Sequence, residues 1–234
     1  MIRPKALTSL SIFFPCYNES QNVGPMIEQA VKVGEDYGAD YEVVVVDDGS
    51  KDNSAQIVRD WSKKNPRVKL VQHETNQGYG AALRTGFKNV TKDLVFLTDG
   101  DNQFRLADID KLFSKIDGCD VVTGFRIARQ DAPYRRLQGK LWTQLNKVLF
   151  GLPVRDVDCA FKLFRKKALQ GLELKSNQLL IHAEILARLK KKGVKIEEIG
   201  VTHYPRTAGE ATATKPGKVL KTFYELFGLY WQIR

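Results

Sequence analysis

Asp99 and Asp101 stand two residues apart in the run Asp99-Gly100-Asp101-Asn102-Gln103, just after the apolar stretch Leu94-Val95-Phe96-Leu97. Carboxylates are hard oxygen ligands that suit Mg²⁺ or Mn²⁺ held against the phosphates of a nucleotide. The apolar stretch reads as a buried strand, so the pair lies beyond a strand's carboxyl end, where ligands collect in open α/β sheets. Taken alone, Asp-x-Asp is equally an acidic turn. Two further polar clusters follow apolar runs in the same way: Pro15-Cys16-Tyr17-Asn18-Glu19, and Asp47-Asp48-Gly49-Ser50-Lys51-Asp52. The second is by itself a turn that Asp and Gly favour. If the preceding strands are parallel, all three clusters meet at one sheet edge and describe a nucleotide pocket. Tyr17 or a nearby aliphatic side chain would pack the base there.

The elements that must hold these clusters alternate. Strands are expected at Leu10–Phe14, Tyr41–Val46, Val68–Gln72, Asp93–Thr98, Asp120–Thr123, Phe161–Phe164 and Val194–Val201. Helices are expected at Asn22–Tyr37, Ser54–Lys64, Gly78–Asn89, Leu106–Ile116, Pro133–Phe150 and Leu179–Lys192. Such alternation implies βαβ units and an α/β fold with a mostly parallel sheet flanked by helices.

The chain has 234 residues, 43% of them hydrophobic, enough for one domain, or one domain with a C-terminal extension. The formal net charge of +10 suits nucleic acid, anionic lipid or phosphorylated substrates without choosing among them. Cys16, Cys119 and Cys159 are far apart, an odd set that reads as reduced thiols of a cytosolic protein rather than as disulfides or a zinc site. No signal peptide and no apolar run of about 18 residues is visible, so no membrane span is expected.

Four motifs in order carry a resemblance: Pro-x-Tyr-Asn-Glu, Val-Val-Asp-Asp-Gly-Ser-x-Asp, Asn-x-Gly-x-Gly-x-Ala-x-x-x-Gly and Asp-x-Asp-x-Gln. Individually weak, together they resemble family 2 glycosyltransferases of the GT-A fold, and more narrowly the dolichyl- or polyprenyl-phosphate mannose synthase branch. The likeness runs from about Leu10 to Lys218. It implies a Rossmann-like mixed sheet and division into a catalytic domain over 1–205 and an acceptor loop with an amphipathic helix over 206–234. It also implies residue roles. Pro15, Tyr17 and Glu19 line the nucleoside site, Asp47 and Asp48 meet base and ribose, and Asn76, Gly78 and Gly80 lie beside the nucleotide. Asp99, Asp101 and Gln103 hold the divalent metal on the diphosphate, with Gly100 between them. Arg126 and Arg129 serve donor or acceptor phosphates, Asp156 or its competitor Asp158 faces the transferred sugar, and Arg206 and Gly209 belong to a closing loop. A dication with arginines would stabilise a departing nucleoside diphosphate where its charge develops, and the arginine fork suits phosphate.

One departure from the family pattern narrows the acceptor. Members that glycosylate sugar hydroxyls carry a Glu-Asp pair shortly before a helix arginine, and its Asp is the base. Counting back from Arg188 puts Ile181 and His182 in those places. A hydroxyl needs a base, whereas a phosphate monoester, with a second pKa of about 6, is already ionised at neutral pH. The expected reaction therefore moves a hexose from a nucleotide sugar (GDP-mannose or a UDP-hexose) to a polyprenyl phosphate, with inversion. His182 is expected to be structural and Glu184 to support the rear wall of the site.

Two stripes suit a membrane interface. Leu137, Leu141, Leu145, Val148 and Leu149, with Trp142, recur among Arg135, Arg136, Lys140 and Lys147; Val219, Phe223, Leu226 and Tyr230 recur with Leu220, Phe227 and Trp231 alongside. Basic amphipathic helices rich in Trp, Phe and Leu lie in such interfaces, so a peripheral place at a cytoplasmic membrane face is expected. Of three other readings, the first keeps the enzyme class and two change it. A family 2 enzyme with a saccharide acceptor would use Asp158 or Glu184 as base. A nucleotidylyltransferase would need a glycine-rich, Arg-containing first loop, where this chain has Pro15–Glu19. A nucleic-acid binder would have to bring a phosphate backbone past acidic strand ends, so no nucleic-acid partner is expected.

Overall fold

Val43-Val44-Val45-Val46 shows why these strands read as continuous apolar runs: successive side chains point to opposite faces, and both faces are covered. Val43 and Val45 join Ile12, Phe14 and Phe96 in one core; Val44 and Val46 join Phe13, Val95 and Leu97 in the other.

The computed structural model describes residues 9–37, 40–127, 133–206 and 216–233. The chain runs β1 (Ser9–Cys16), α1 (Val23–Asp36), β2 (Asp40–Asp47), α2 (Ser54–Lys64), β3 (Val68–Gln72), α3 (Tyr79–Asn89) and β4 (Leu94–Leu97). A short 3₁₀ turn at Leu106–Asp108 leads into α4 (Ile109–Ile116), followed by β5 (Val121–Ile127), α5 (Pro133–Phe150) and β6 (Lys162–Arg165). Then come α6 (Lys166–Leu169), α7 (Ile181–Lys191), β7 (Ile196–Thr202) and α8 (Pro216–Ile233). The seven strands form one sheet in the order β3-β2-β1-β4-β6-β5-β7. Residues of α1, α2 and α4 cover one face, and residues of α3 and α7 the other. A third cluster joins Leu152 and Val154 to Leu186 on α7 and to Leu226 and Leu229 on α8.

The expected α/β class holds, with one refinement: β6 lies antiparallel to both β4 and β5, while the other pairings are parallel. Its first residue, Lys162, is in register with Leu97 and Thr123, so the beginning of β6 shares an edge with the end of β4. Leu106–Ile116, expected as one helix, divides into the 3₁₀ turn and α4. Pro15 is tolerated inside β1 because β4 pairs only with Leu10–Phe13; beyond Phe13 that side of the strand has no ladder to break.

The α3 helix sits tightly on the sheet. A Cβ added at Gly86 would stand 2.3 Å from the ring of Phe13, which is fully buried and packs edge-on against Phe87 at 4.9 Å. Gly86→Ala is therefore expected to lower stability by about 1–3 kcal/mol through overpacking, read from the midpoint of urea denaturation.

Candidate active site

The ends of β1, β2, β4, β5 and β7 and the start of β6 lie along one edge of the sheet, and every polar cluster singled out in the sequence is there. Gly100 makes the turn between Asp99 and Asp101 possible, since a Cβ at that position would meet the Pro15 carbonyl oxygen at 2.4 Å. Asn102 takes a left-handed conformation with φ of 60°, which Asn tolerates well. Its side chain accepts a hydrogen bond from Gln29 of α1 at 2.8 Å.

Asp99 and Asp101 are only partly exposed. The Tyr79 hydroxyl donates to Asp99 Oδ1 at 2.7 Å. Asp101 accepts from the Gln103 N–H at 3.2 Å and lies 3.5 Å from the Arg206 guanidinium. Burial and then the neighbouring Asp101 push the Asp99 carboxyl up to about 7. Burial raises Asp101 too, against the pull of Arg206. Arg206, on the segment after β7, also donates to Glu19 at 2.6 Å, so the first and last parts of the sheet close on the same carboxylates. Gln103 links to that segment as well: its side-chain amide donates to the Tyr204 carbonyl at 3.0 Å, and its own carbonyl accepts from the Tyr204 N–H at 2.9 Å.

The loops after β1 and β2 are stitched together. The Asn18 N–H donates to the Ser50 hydroxyl at 2.9 Å, and the Lys51 N–H to the Asn18 side chain at 2.8 Å. Glu19 N–H donates to the Ser54 hydroxyl at 2.9 Å, and Ser20 N–H to Asp52 at 3.0 Å. Asp47 is fully buried; its Oδ2 accepts from Gln72 at 3.1 Å, while Oδ1 has no partner. Asp48 turns the other way. It accepts from the N–H groups of Gln77 and Gly78, both at 2.9 Å, and pairs with His73 at 2.7 Å. Asp48 thus anchors the loop entering α3. Gly78 and Gly80 are packed under the 176–178 segment, where added Cβ atoms would lie 2.4 Å from the Asn177 oxygen and 2.5 Å from the Ser176 oxygen. Asn76 is exposed, and Tyr17 and Pro15 are partly exposed.

Arg126 and Asp156 find each other: Nε donates to Oδ2 at 2.6 Å and Nη2 to Oδ1 at 2.8 Å. Burial opposes the guanidinium charge, but the paired hydrogen bonds and charge of Asp156 outweigh it and raise the pKa above the ordinary arginine range. Asp158 accepts from the Trp142 indole at 3.0 Å. Burial, followed by the charge of Asp156, raises its pKa. Lys162 is fully buried and donates to the carbonyls of Val157 and Cys159. Burial pushes the thiols of Cys16 and Cys159 up to about 12, which leaves neither a nucleophile.

His182 is buried, with Nε2 3.0 Å from the Tyr79 hydroxyl and Nδ1 without a partner. Burial, Lys162 and Arg126 hold it neutral. Glu184, wholly buried, accepts from the N–H groups of Lys175 and Ser176 and from Arg188 at 2.8 Å. Sequence reasoning missed Tyr79, which occupies a variable slot between two glycines; only its placement between them hinted that it faces the site. Arg129 and Gly209 lie outside the described residues.

Among the described residues, no three His, Cys, Asp or Glu side chains gather into a protein-only metal cage. The donor set fits a divalent cation of the Mg²⁺ type, which binds through one or two carboxylates and fills its other positions with phosphate oxygens and water. Two hard, partly accessible carboxylates, both raised by burial and Asp99 further by the charge of Asp101, are the groups such a charge would relieve.

The model of the family described as Glycosyl transferase family 2 matches residues 11–172. Among solved structures, the chain is similar to glucosyl-3-phosphoglycerate synthase from Mycobacterium tuberculosis in complex with Mn²⁺ and UDP-glucose. The TM-score is 0.71 at 15% identity, over 98% of this chain and 80% of that one. It is also similar to mannosyl-3-phosphoglycerate synthase from Rubrobacter xylanophilus, with TM-score 0.68 at 12% identity, over 96% and 73%. A mannosyltransferase from Pyrobaculum calidifontis in complex with GDP-mannose and Mn²⁺ aligns with TM-score 0.59 at 18% identity, over 90% of this chain and 59% of that one.

Proposed function

Because the chain belongs to glycosyl transferase family 2, we propose that it moves a hexose from a nucleotide-diphosphate sugar to an acceptor phosphate, inverting the anomeric carbon. The observation that carries this reading is the sunken pair Asp99 and Asp101, at the edge where the loops after β1, β2 and β7 meet. A Mg²⁺ or Mn²⁺ ion held by these two, with Gln103 beside them, would stabilise charge on the departing nucleoside diphosphate. Pro15, Tyr17 and Glu19 line the nucleoside side, with Gly78 and Asn76 at its border. Asp47, assigned to the base and ribose by sequence position, is fully buried beneath these loops. Arg126 and Arg206 supply positive charge for phosphates; Arg129 and Gly209, outside the described residues, are assigned to phosphate binding and to the closing loop by sequence position alone.

An acceptor phosphate needs no base, and two groups that sequence position would suggest are withheld from such work. His182 is buried and tied to Tyr79, while Glu184 spends its oxygens on the 175–176 backbone and Arg188. Asp158, partly exposed, is the carboxylate a hydroxyl acceptor would require. We assign the lipid-linked class, polyprenyl phosphate, because α5 and α8 present Leu137, Leu141, Val148, Phe227 and Trp231 to solvent, each more than half exposed. These apolar side chains, interleaved with Arg136, Lys140 and Lys147, suit an anionic membrane surface. Of the expected stripes, Leu145 and Leu149 instead pack inward, with Leu226, Leu229 and Ile233 of α8. Among the described residues no helix is long and apolar enough to cross a membrane. On this reading 1–205 is the catalytic domain and 206–234 the acceptor loop with its surface-seeking helix.

Labelled UDP- and GDP-hexoses, offered with polyprenyl phosphate in micelles, 3-phosphoglycerate or an oligosaccharide, test the assignment. Transfer to polyprenyl phosphate, abolished by EDTA and restored by Mn²⁺ or Mg²⁺, is expected. Label appearing only in 3-phosphoglycerate would overturn the lipid acceptor, and label only in oligosaccharide would overturn the phosphate acceptor. Undiminished turnover in EDTA would overturn the metal.

A further inference from the structure

We infer that Tyr79 and His182 are positioning residues: a neutral relay, His182 Nε2–H to Tyr79 Oη–H to Asp99 Oδ1, fixes Asp99 for a divalent cation. The inference rests on the metal-dependent reading of the site and deepens it.

The direction of the relay follows from hydrogen-atom counting. Tyr79 has one hydroxyl hydrogen and donates it to Asp99 Oδ1 at 2.7 Å. At 3.0 Å from the same oxygen, His182 Nε2 must then be the donor. The imidazole hydrogen is therefore on Nε2, and Nδ1, buried without a partner, is left as a bare lone pair rather than a stranded N–H. The two rings lie 5.4 Å apart and pack as well as bond.

Everything behind the phenol is immobilised. Tyr79 is the first residue of α3, flanked by Gly78 and Gly80, which are pinched under the 176–178 segment. The Gly80 N–H donates to the Asn177 carbonyl at 2.9 Å, and Arg84 reaches the Ser176 carbonyl at 3.2 Å. That segment is gripped by Glu184, two residues from His182 on α7, through the N–H groups of Lys175 and Ser176. One rigid block of α3, the 175–178 segment and α7 thus aims a hydroxyl at Asp99.

The chemistry of the relay differs from what holds Asp101. Asp101 is approached by a cation, Arg206, whereas Asp99 receives a hydrogen bond from a neutral hydroxyl. A neutral donor locks the rotation of the carboxylate without spending its negative charge, leaving Oδ2 free to meet a metal. Partners of this kind behind a metal ligand change affinity by about 10–100-fold when removed.

The test is Mn²⁺ affinity, read as the loss of the free-ion EPR signal in the presence of UDP or GDP, with melting temperature followed in parallel. Tyr79→Phe keeps the ring and removes the hydroxyl, and is expected to weaken Mn²⁺ binding about tenfold. His182→Gln keeps an N–H donor near the Nε2 position and is expected to bind like wild type; His182→Phe removes it and is expected to weaken binding. Wild-type affinity in Tyr79→Phe would overturn the relay while leaving the metal reading intact. No Mn²⁺ binding by the wild-type protein with either nucleotide would overturn the metal reading, and the relay with it. Should Tyr79→Phe fail to fold, equal weakening in His182→Gln and His182→Phe would overturn the relay on its own.

Discussion

Asp99→Asn is expected to lower kcat about a thousandfold while the protein still folds, and to make the metal-free protein more stable at neutral pH. On the proposed reading the activity loss follows from removing a charge that would hold the metal on the leaving diphosphate; losing electrostatic help of this kind costs about 10²–10³ in rate even for a single neutral donor. The stability gain has the opposite origin. Burial and Asp101 push Asp99 up to about 7 from an ordinary 3.8, so between about pH 4 and 7 the folded protein keeps a proton that the unfolded chain has released. Stability then falls as pH rises through that window, and stays low above it. Asn does not titrate, so the variant loses this part of the slope, with the part due to Asp101 remaining. Melting temperature against pH in EDTA, from pH 4 to 8.5, reads the effect, and steady-state turnover with Mn²⁺ reads the rate. A variant that turns over within tenfold of wild type would remove Asp99 from the reaction.

The second large effect is expected from Asp156→Ala. Arg126 and Asp156 side chains are only 14% and 11% exposed and meet through two parallel hydrogen bonds. Removing the carboxylate strands a guanidinium with no partner for its fork, which destabilises by about 3–5 kcal/mol in such settings. Replacing both at once, Arg126→Met with Asp156→Leu, removes the stranded charge and is expected to recover most of that loss in urea denaturation. Turnover should not recover, because the positive charge proposed to meet the phosphates is gone. Recovery of both would reduce the pair to scaffolding.

The central strands β1, β2 and β4 were legible because each carries an apolar run buried on both faces, a pattern that water-facing segments do not show, and their acidic ends stood out against it. What pairs with what was not legible. Lys162-Leu163-Phe164-Arg165 carries no mark of direction, so nothing in the sequence distinguished an antiparallel β6 from a parallel one. Because it runs backwards, its approach rather than its exit faces the site, which is how Asp156 and Asp158 arrive there ahead of a strand. Asp47 and Asp48 are neighbours in sequence, yet alternation in an extended chain turns one toward Gln72 and the other toward the loop entering α3. Tyr79 could not be found from spacing, since its role depends on α7, a helix about a hundred residues away in the chain. On α8 the periodicity identified the helix, but only tertiary packing separated Leu226, turned inward, from Phe227 and Trp231, turned out.

If, as proposed, the first two loops line the nucleoside site, their stitching limits how donor preference can change. Asn18, Glu19 and Ser20 are bonded to Ser50, Ser54 and Asp52, so neither loop keeps its shape without the other. Altering nucleobase choice by transplanting one loop from a homologue would leave orphaned amides on both sides of the seam. The two loops, 31 residues apart in register between Cys16 and Asp47, are heritable as a pair, and exchange of sugar-nucleotide preference should succeed only when both travel together.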